Sequence, residues 1–291
     1  MLALTFAATV HISVLGAFHP TQFELRPALG ATLIVESEGR TSMLKNGASM
    51  HVAGPLTVTG RFGLPAHFFL TIPGRAEREY FGRLEIRRHD GHQLLAVVDM
   101  DLETAVASIV DAEGTQGLPF EARRAQAVAT RSYLVAAAGK RHMNYDFCDQ
   151  DHCQYMRELP VESSPAAKAA NSTRGQVLVY KGSVIAALYS ANCGGHTRNL
   201  FDAGWSLSSD TTSSATKYPY YGVACPLGGT VSGHRVGMCQ LGAIQIAKQG
   251  KPANVILGHY FPGTKIGMVG AGSMTTAQRD VTAGKDVRAA R

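Results

Sequence analysis

The chain has 291 residues, 45% of them hydrophobic and only 17% charged, below the roughly 25% charged content of an average soluble protein. That composition excludes a disordered or charge-solvated chain, and the length allows about two domains. Lys and Arg number 28 against 22 Asp and Glu, leaving +6 at pH 7, a mild positive field that favours anionic partners; nucleic acid, anionic lipid and anionic cell-wall polymer all satisfy it.

The first 23 residues carry no charged side chain, but they lack the basic start of a secretory signal, because the first Arg is Arg26. His11 interrupts the run, and Val10, Ile12 and Val14 alternate with more polar neighbours, so the segment reads as a buried strand and not as a convincing signal peptide. No later stretch reaches 18 consecutive apolar residues, so no transmembrane segment is expected. Through residue 95, short β-branched and aromatic runs are broken by Gly, Pro and Asn46-Gly47, the pattern of an all-β region.

Asp101 then reads as the N-cap of a helix in which Leu102, Val106, Ile109 and Val110 recur at helical spacing up to Glu113-Gly114. Pro119 opens a second helix to about Ala138. Its face of Ala122, Ala125, Ala129, Ser132 and Ala136 lets another backbone approach closely, and Gly139 is the stop. After a polar, irregular stretch from 140 to 162, Ser164-Pro165 starts a third helix to Thr173. Residues 176–181 and 183–190 then read as a hairpin around Lys181-Gly182. A loop with Trp205 and Tyr220-Tyr221 leads to a helix from Gly237 to Lys248. The expected fold is α+β: a β-rich region over 1–95, a mixed helix and sheet domain over 96–270, and a frayed tail over 271–291.

Several side chains could carry chemistry. Glu113 stands where a short helix meets a Gly-rich loop, so its carboxyl can face a cleft with little cover; an ordinary helix-end carboxylate fits the same pattern. Glu121 has a structural role available, because its charge meets the dipole in the first turn of the second helix. The tract His142, Cys148, His152 and Cys153 gathers the ligand types of a tetrahedral zinc site, although its spacing is not that of a zinc finger. A loop with two unrelated His and two unrelated Cys remains the other reading. The five cysteines leave one unpaired, and Cys193 and Cys225 could pair in an oxidising compartment. Cys239 with His234, or Cys193 with His196, could make a thiol nucleophile and base, but a small buried Cys at the start of a helix is the commoner explanation. There is no Walker or Rossmann fingerprint, and no basic stripe interleaved with aromatics, so no nucleic-acid partner is expected.

In order along the chain, LETAVASIVDAE, LPFEARRAQAVATRSY, YDFCDQDHCQYM, SANCGGHT and GHRVGMCQLGA resemble the SpoIID/LytB family over about residues 95–268. The resemblance implies a SpoIID-like domain that acts as a peptidoglycan lytic transglycosylase on glycan strands, with amidase-enhancing relatives. It implies Glu113 as the catalytic acid. It places Arg124, Gln126, Arg131, Thr197, His234 and Gln240 along the substrate, and it implies a structural zinc at His142, Cys148, His152 and Cys153. An extracytoplasmic, cell-wall-associated location follows from the same resemblance. The family's Ser-Glu-Met-Pro step is Ala112-Glu113-Gly114-Thr115 here, and Arg235 and Cys239 replace a Gly and a Ser of its Gly-His-Gly-x-Gly-Met-Ser-Gln motif. Two further readings stay open: a non-catalytic peptidoglycan-binding module that stimulates an amidase, and a Cys-dependent wall hydrolase.

Overall fold

The computed structural model describes residues 8–114, 117–204 and 218–269. Trp205 and the tail 271–291 lie outside the described residues. The first part of the chain forms nine strands: β1 (Thr9–Val14), β2 (Phe23–Pro27), β3 (Thr32–Ser37), β4 (Arg40–Lys45), β5 (Met50–Val52), β6 (Leu56–Thr59), β7 (Ala66–Ile72), β8 (Ala76–Arg88) and β9 (Leu94–Asp101). The alternation expected of β1 holds, with Val10, Ile12 and Val14 all buried. β7 follows the same rule, burying Ala66, Phe68, Leu70 and Ile72 on one face.

The long strand β8 joins two sets of strands. From Ala76 to Gly82 it pairs with β7, which continues through β2 to β5; from Arg83 to Arg88 it pairs with β9. At the changeover a Cβ on Gly82 would lie 2.5 Å from the Asp99 carbonyl oxygen, so only glycine lets the strands approach this closely. The main path runs β10-β1-β9-β8-β6-β3-β4, where β10 (Phe147–Cys148) pairs in parallel with β1. Residue 95 therefore falls inside β9, and the first core continues past it into the helices.

The helices are α1 (Leu102–Glu113), α2 (Phe120–Ala137), α3 (Pro165–Ser172), α4 (Gln240–Lys248) and α5 (Ala253–Tyr260). Two N-caps read from the sequence are made: Asp101 accepts from the Glu103 and Thr104 amides, and Ser164 accepts from Ala167. The expected hairpin is shorter than its pattern. β11 (Gln176–Tyr180) pairs with β12 (Ser183–Val184) only, because Ile185, Ala186 and Ala187 turn into the core, and β15 (Lys265–Met268) takes the other edge of β11. The helix expected from Gly237 begins at Gln240, because β14 (Met238–Cys239) is extended and pairs with β13 (Tyr189–Ser190). Among the described residues no helix is long and apolar enough to cross a membrane.

Helix α2 is the centre of the α+β arrangement, with fourteen of its 18 residues buried. Ala127, Tyr133, Leu134, Ala136 and Ala137 pack into the core beneath the large sheet, whereas Ala122, Ala125, Val128 and Ala129 face a second core with Leu178, Met238, Tyr260 and Phe261. Arg131 stands among these residues with no solvent exposure. Its guanidinium forks onto Glu103 of α1 at 2.9 and 2.6 Å and donates to the carbonyls of Ala127, Ala170 and Gln176. These five bonds use all five N–H donors of the guanidinium.

Removing one partner of a buried ion pair strands the other charge. Arg131→Met is therefore expected to cost about 3–5 kcal/mol in chemical denaturation. Arg124→Ala, which breaks the half-exposed pair with Glu121, should cost less than about 1 kcal/mol by the same measurement.

Candidate functional site

The last residue of α1 opens onto a cavity of about 360 Å³. Its walls come from the start of α2, the segments around Asn192 and Ser232, and the first turn of α4. Glu113 is the one carboxylate among the described residues that line it. Arg123, Gln126, Asn192 and Gln240 supply further polar groups, and Val110, Leu118, Met238 and Ile244 an apolar wall. A shallow, mostly apolar cavity with a few convergent polar groups is the usual form of a ligand site.

The environment of Glu113 is built by opposing effects. Burial pushes its carboxyl above the usual carboxylate range, hydrogen bonds from the Tyr155 amide and the Gln240 side chain pull it down, and the charge of Asp151 pushes it up again. The net direction is up. The Tyr155 N–H donates to Glu113 Oε1 at 3.0 Å. The buried Tyr189 hydroxyl feels the charge of Glu113, which adds to burial in holding that phenol well above its ordinary value. Gln126 lines the cavity, and its side chain also reaches the buried Tyr189 hydroxyl.

The loop that delivers the Tyr155 amide begins with the His and Cys tract. The ligand atoms of His142, Cys148, His152 and Cys153 lie within 4.8 Å of one another. His142 Nε2 is 3.2 Å from Cys153 Sγ, and His152 Nδ1 is 3.7 Å from Cys148 Sγ. Two imidazoles and two thiols converging in this way fit a tetrahedral metal such as zinc. The loop is also pinned to the sheet: the Leu15 amide donates to Asp149, which pairs with Arg78 at 2.8 Å.

Residues 90–180 match the family model SpoIID, described as Stage II sporulation protein. The chain is also 32% identical over 121 residues to an uncharacterized protein of Brachyspira hyodysenteriae (strain ATCC 49526 / WA1), a match covering 41% of this chain and about a third, 33%, of that protein's length. The matched residues include Glu113, α2 and the His and Cys tract, whereas Thr197, His234 and Gln240 lie beyond them.

Around the Glu113 cavity, the sequence-predicted residues divide. Glu113, Gln126 and Gln240 come together. Arg124 does not join them: it pairs with Glu121 at 2.9 Å, and Glu121 accepts from the Ala253 amide at the start of α5. Arg131 does not line the cavity either, because the pairing with Glu103 holds it in the interior. Thr197 is buried, and its hydroxyl accepts from the Val223 amide, which fixes one loop to another. His234 Nδ1 accepts from the Val236 amide and is not part of the cavity lining.

Four polar cavity residues were missed, namely Arg123, Asn192, Thr230 and Ser232. The sequence holds a signal for the first only, since Arg123 is one of two adjacent arginines and helical phase chooses between them. Arg235 adopts a left-handed φ of 67°, so the backbone keeps a glycine-like conformation at the position where the family motif has Gly. Burial counts against the thiol-nucleophile reading at Cys239: the residue is fully buried, its thiol is pushed up, and its sulfur accepts from the Cys193 and Gly242 amides.

Because the protonated form of Glu113 is favoured, its carboxyl should titrate above the ordinary value near ~4.3. Gln240→Ala removes a donor that favours the anion, so the midpoint should move further up. Carbon-13 detected titration of the glutamate carboxyls in both proteins checks the order.

Proposed function

We propose that the chain is an extracytoplasmic peptidoglycan lytic transglycosylase in which Glu113 is the only acid/base. The observation that carries this reading is a single, largely buried carboxyl with a raised pKa, with no second carboxylate lining the cavity among the described residues. Glycoside hydrolysis ordinarily needs two carboxyl groups, one as acid and one as base or nucleophile. A reaction whose nucleophile is already on the substrate needs only one.

In the proposed reaction the neutral Glu113 gives its proton to the glycosidic oxygen as the C1–O bond of the muramic residue breaks. The carboxylate then takes the proton of the 6-hydroxyl of the same sugar as its oxygen bonds to C1. A 1,6-anhydro end forms, no water is consumed, and Glu113 returns to its starting state. The upward shift favours the protonated acid that the first transfer needs, and the Tyr155 and Gln240 donors stabilise the carboxylate between the two transfers. Arg123, Gln126 and Asn192 are placed to bind sugar hydroxyl, acetamido and carboxylate groups.

His142, Cys148, His152 and Cys153 would hold a structural zinc. With four protein ligands, the metal would fix the loop and leave no open position for substrate. The alternative, a peptidoglycan-binding amidase enhancer, keeps the same cavity without turnover.

Digestion of peptide-stripped glycan strands, with mass spectrometry of the products, tests the reading. Wild type should give anhydromuramic ends, and Glu113→Gln should lose about 10²–10⁴-fold in rate. Reducing ends would overturn the single-carboxyl chemistry; binding without cleavage would favour the enhancer. Cleavage should fall as pH rises through the raised Glu113 pKa, because the acid form is then lost. Cys148→Ser should lower both metal content by elemental analysis and the melting temperature, and it should slow cleavage by loosening the loop that presents the Tyr155 amide.

A further inference from the structure

A second group of soft ligands lies next in sequence to two residues that line the cavity. Cys193 follows β13, Cys225 belongs to the stretch after residue 218, and Cys239 ends β14 at the N-cap of α4. Three segments far apart in sequence thus bring their sulfur atoms within 4.8 Å of one another. All three are free thiols. We propose that Cys193, Cys225 and Cys239 form a second metal site, one that takes a thiophilic divalent cation such as zinc.

Burial pushes the Cys193 and Cys239 thiols up, and backbone donors oppose it. Cys239 Sγ accepts from the Cys193 and Gly242 amides, each at 3.4 Å, and such donors stabilise a charged sulfur. The Tyr260 hydroxyl lies 3.2 Å from Cys225 Sγ, which adds an oxygen to the group. Helix α4 is drawn tightly onto the cluster: a Cβ on Gly242 would fall 2.3 Å from Cys225 Sγ and 2.1 Å from the Tyr260 oxygen. Cys193 and Cys239 are buried, whereas Cys225 is half-exposed and leaves a way in. Thiolate ligands select soft cations. Three thiolates with a divalent ion leave a charge of −1, and with a monovalent ion −2; burial disfavours the larger charge.

Asn192 precedes Cys193 and Gln240 follows Cys239, and both line the Glu113 cavity. A metal at the three sulfurs would therefore tie together two cavity walls and hold the Gln240 amide on Glu113. The first tract would do the same for the Tyr155 amide.

The test uses full-length protein prepared under reductant, stripped with chelator and titrated with Cd²⁺ while thiolate-to-metal charge transfer is followed in the ultraviolet. Wild type should bind about two equivalents. Cys148→Ser should keep about one, and Cys225→Ser, chosen because its side chain reaches the surface, should also keep about one with an unchanged circular dichroism spectrum. If the His and Cys reading alone fails, wild type and Cys148→Ser each bind about one and Cys225→Ser none, which still supports the three-cysteine site. Wild type binding one equivalent that Cys148→Ser abolishes would overturn the proposal, whether or not Cys225→Ser folds. A disulfide between any two of the three in intact-mass and alkylation analysis of this reduced protein would overturn it as well.

Discussion

The buried pair between Arg131 and Glu103 is the contact on which the rest of the arrangement depends. Desolvating two charges costs several kcal/mol, about as much as their attraction returns, so such a pair contributes little net stability unless every donor is used. Here every guanidinium N–H is used, and Glu103 Oε1 accepts the Gly175 amide as well. The bonds reach α1, α2, the end of α3 and the start of β11. What they specify is relative placement: α1 and α2 can meet in only one register, and the end of α1 must then emerge at the cavity.

Around that fixed end, the chain controls one carboxyl from two directions. The loop carrying His142, Cys148, His152 and Cys153 brings the Tyr155 amide from one side, and the β14–α4 junction brings Gln240 from the other. Burial alone would favour a permanently neutral acid; two donors alone would favour a permanent anion. Their opposition gives a group that can hold a proton and also release it, which is what acid and base work at one site requires. Both supports are loops or element ends, and each is backed by a cluster of side chains. In each case that cluster is rich in cysteine.

Much of this was legible in residue order. The strand alternation of β1, the caps at Asp101 and Ser164, and the stop of α1 at Glu113 are local events, governed by side-chain period and by hydrogen bonds over two or three residues. The four metal-ligand types could be read because they fall within twelve residues of one another. The roles of the arginines could not. Arg123, Arg124 and Arg131 share one helix and one chemistry, and each meets a different environment because helical phase sends one to the cavity, one to Glu121 at the surface and one into the core.

The sequence by itself determined the α+β class, the position of Glu113 at a helix end and the resemblance of the 95–268 segments, because each depends on neighbours close in the chain. Only the tertiary structure decided that Gln240 meets a carboxyl more than a hundred residues earlier, that Arg131 is a structural ion and that Cys193, Cys225 and Cys239 converge. Such meetings are set by how α2 is packed on both faces at once, and no local periodicity encodes which distant segment will cover a given face.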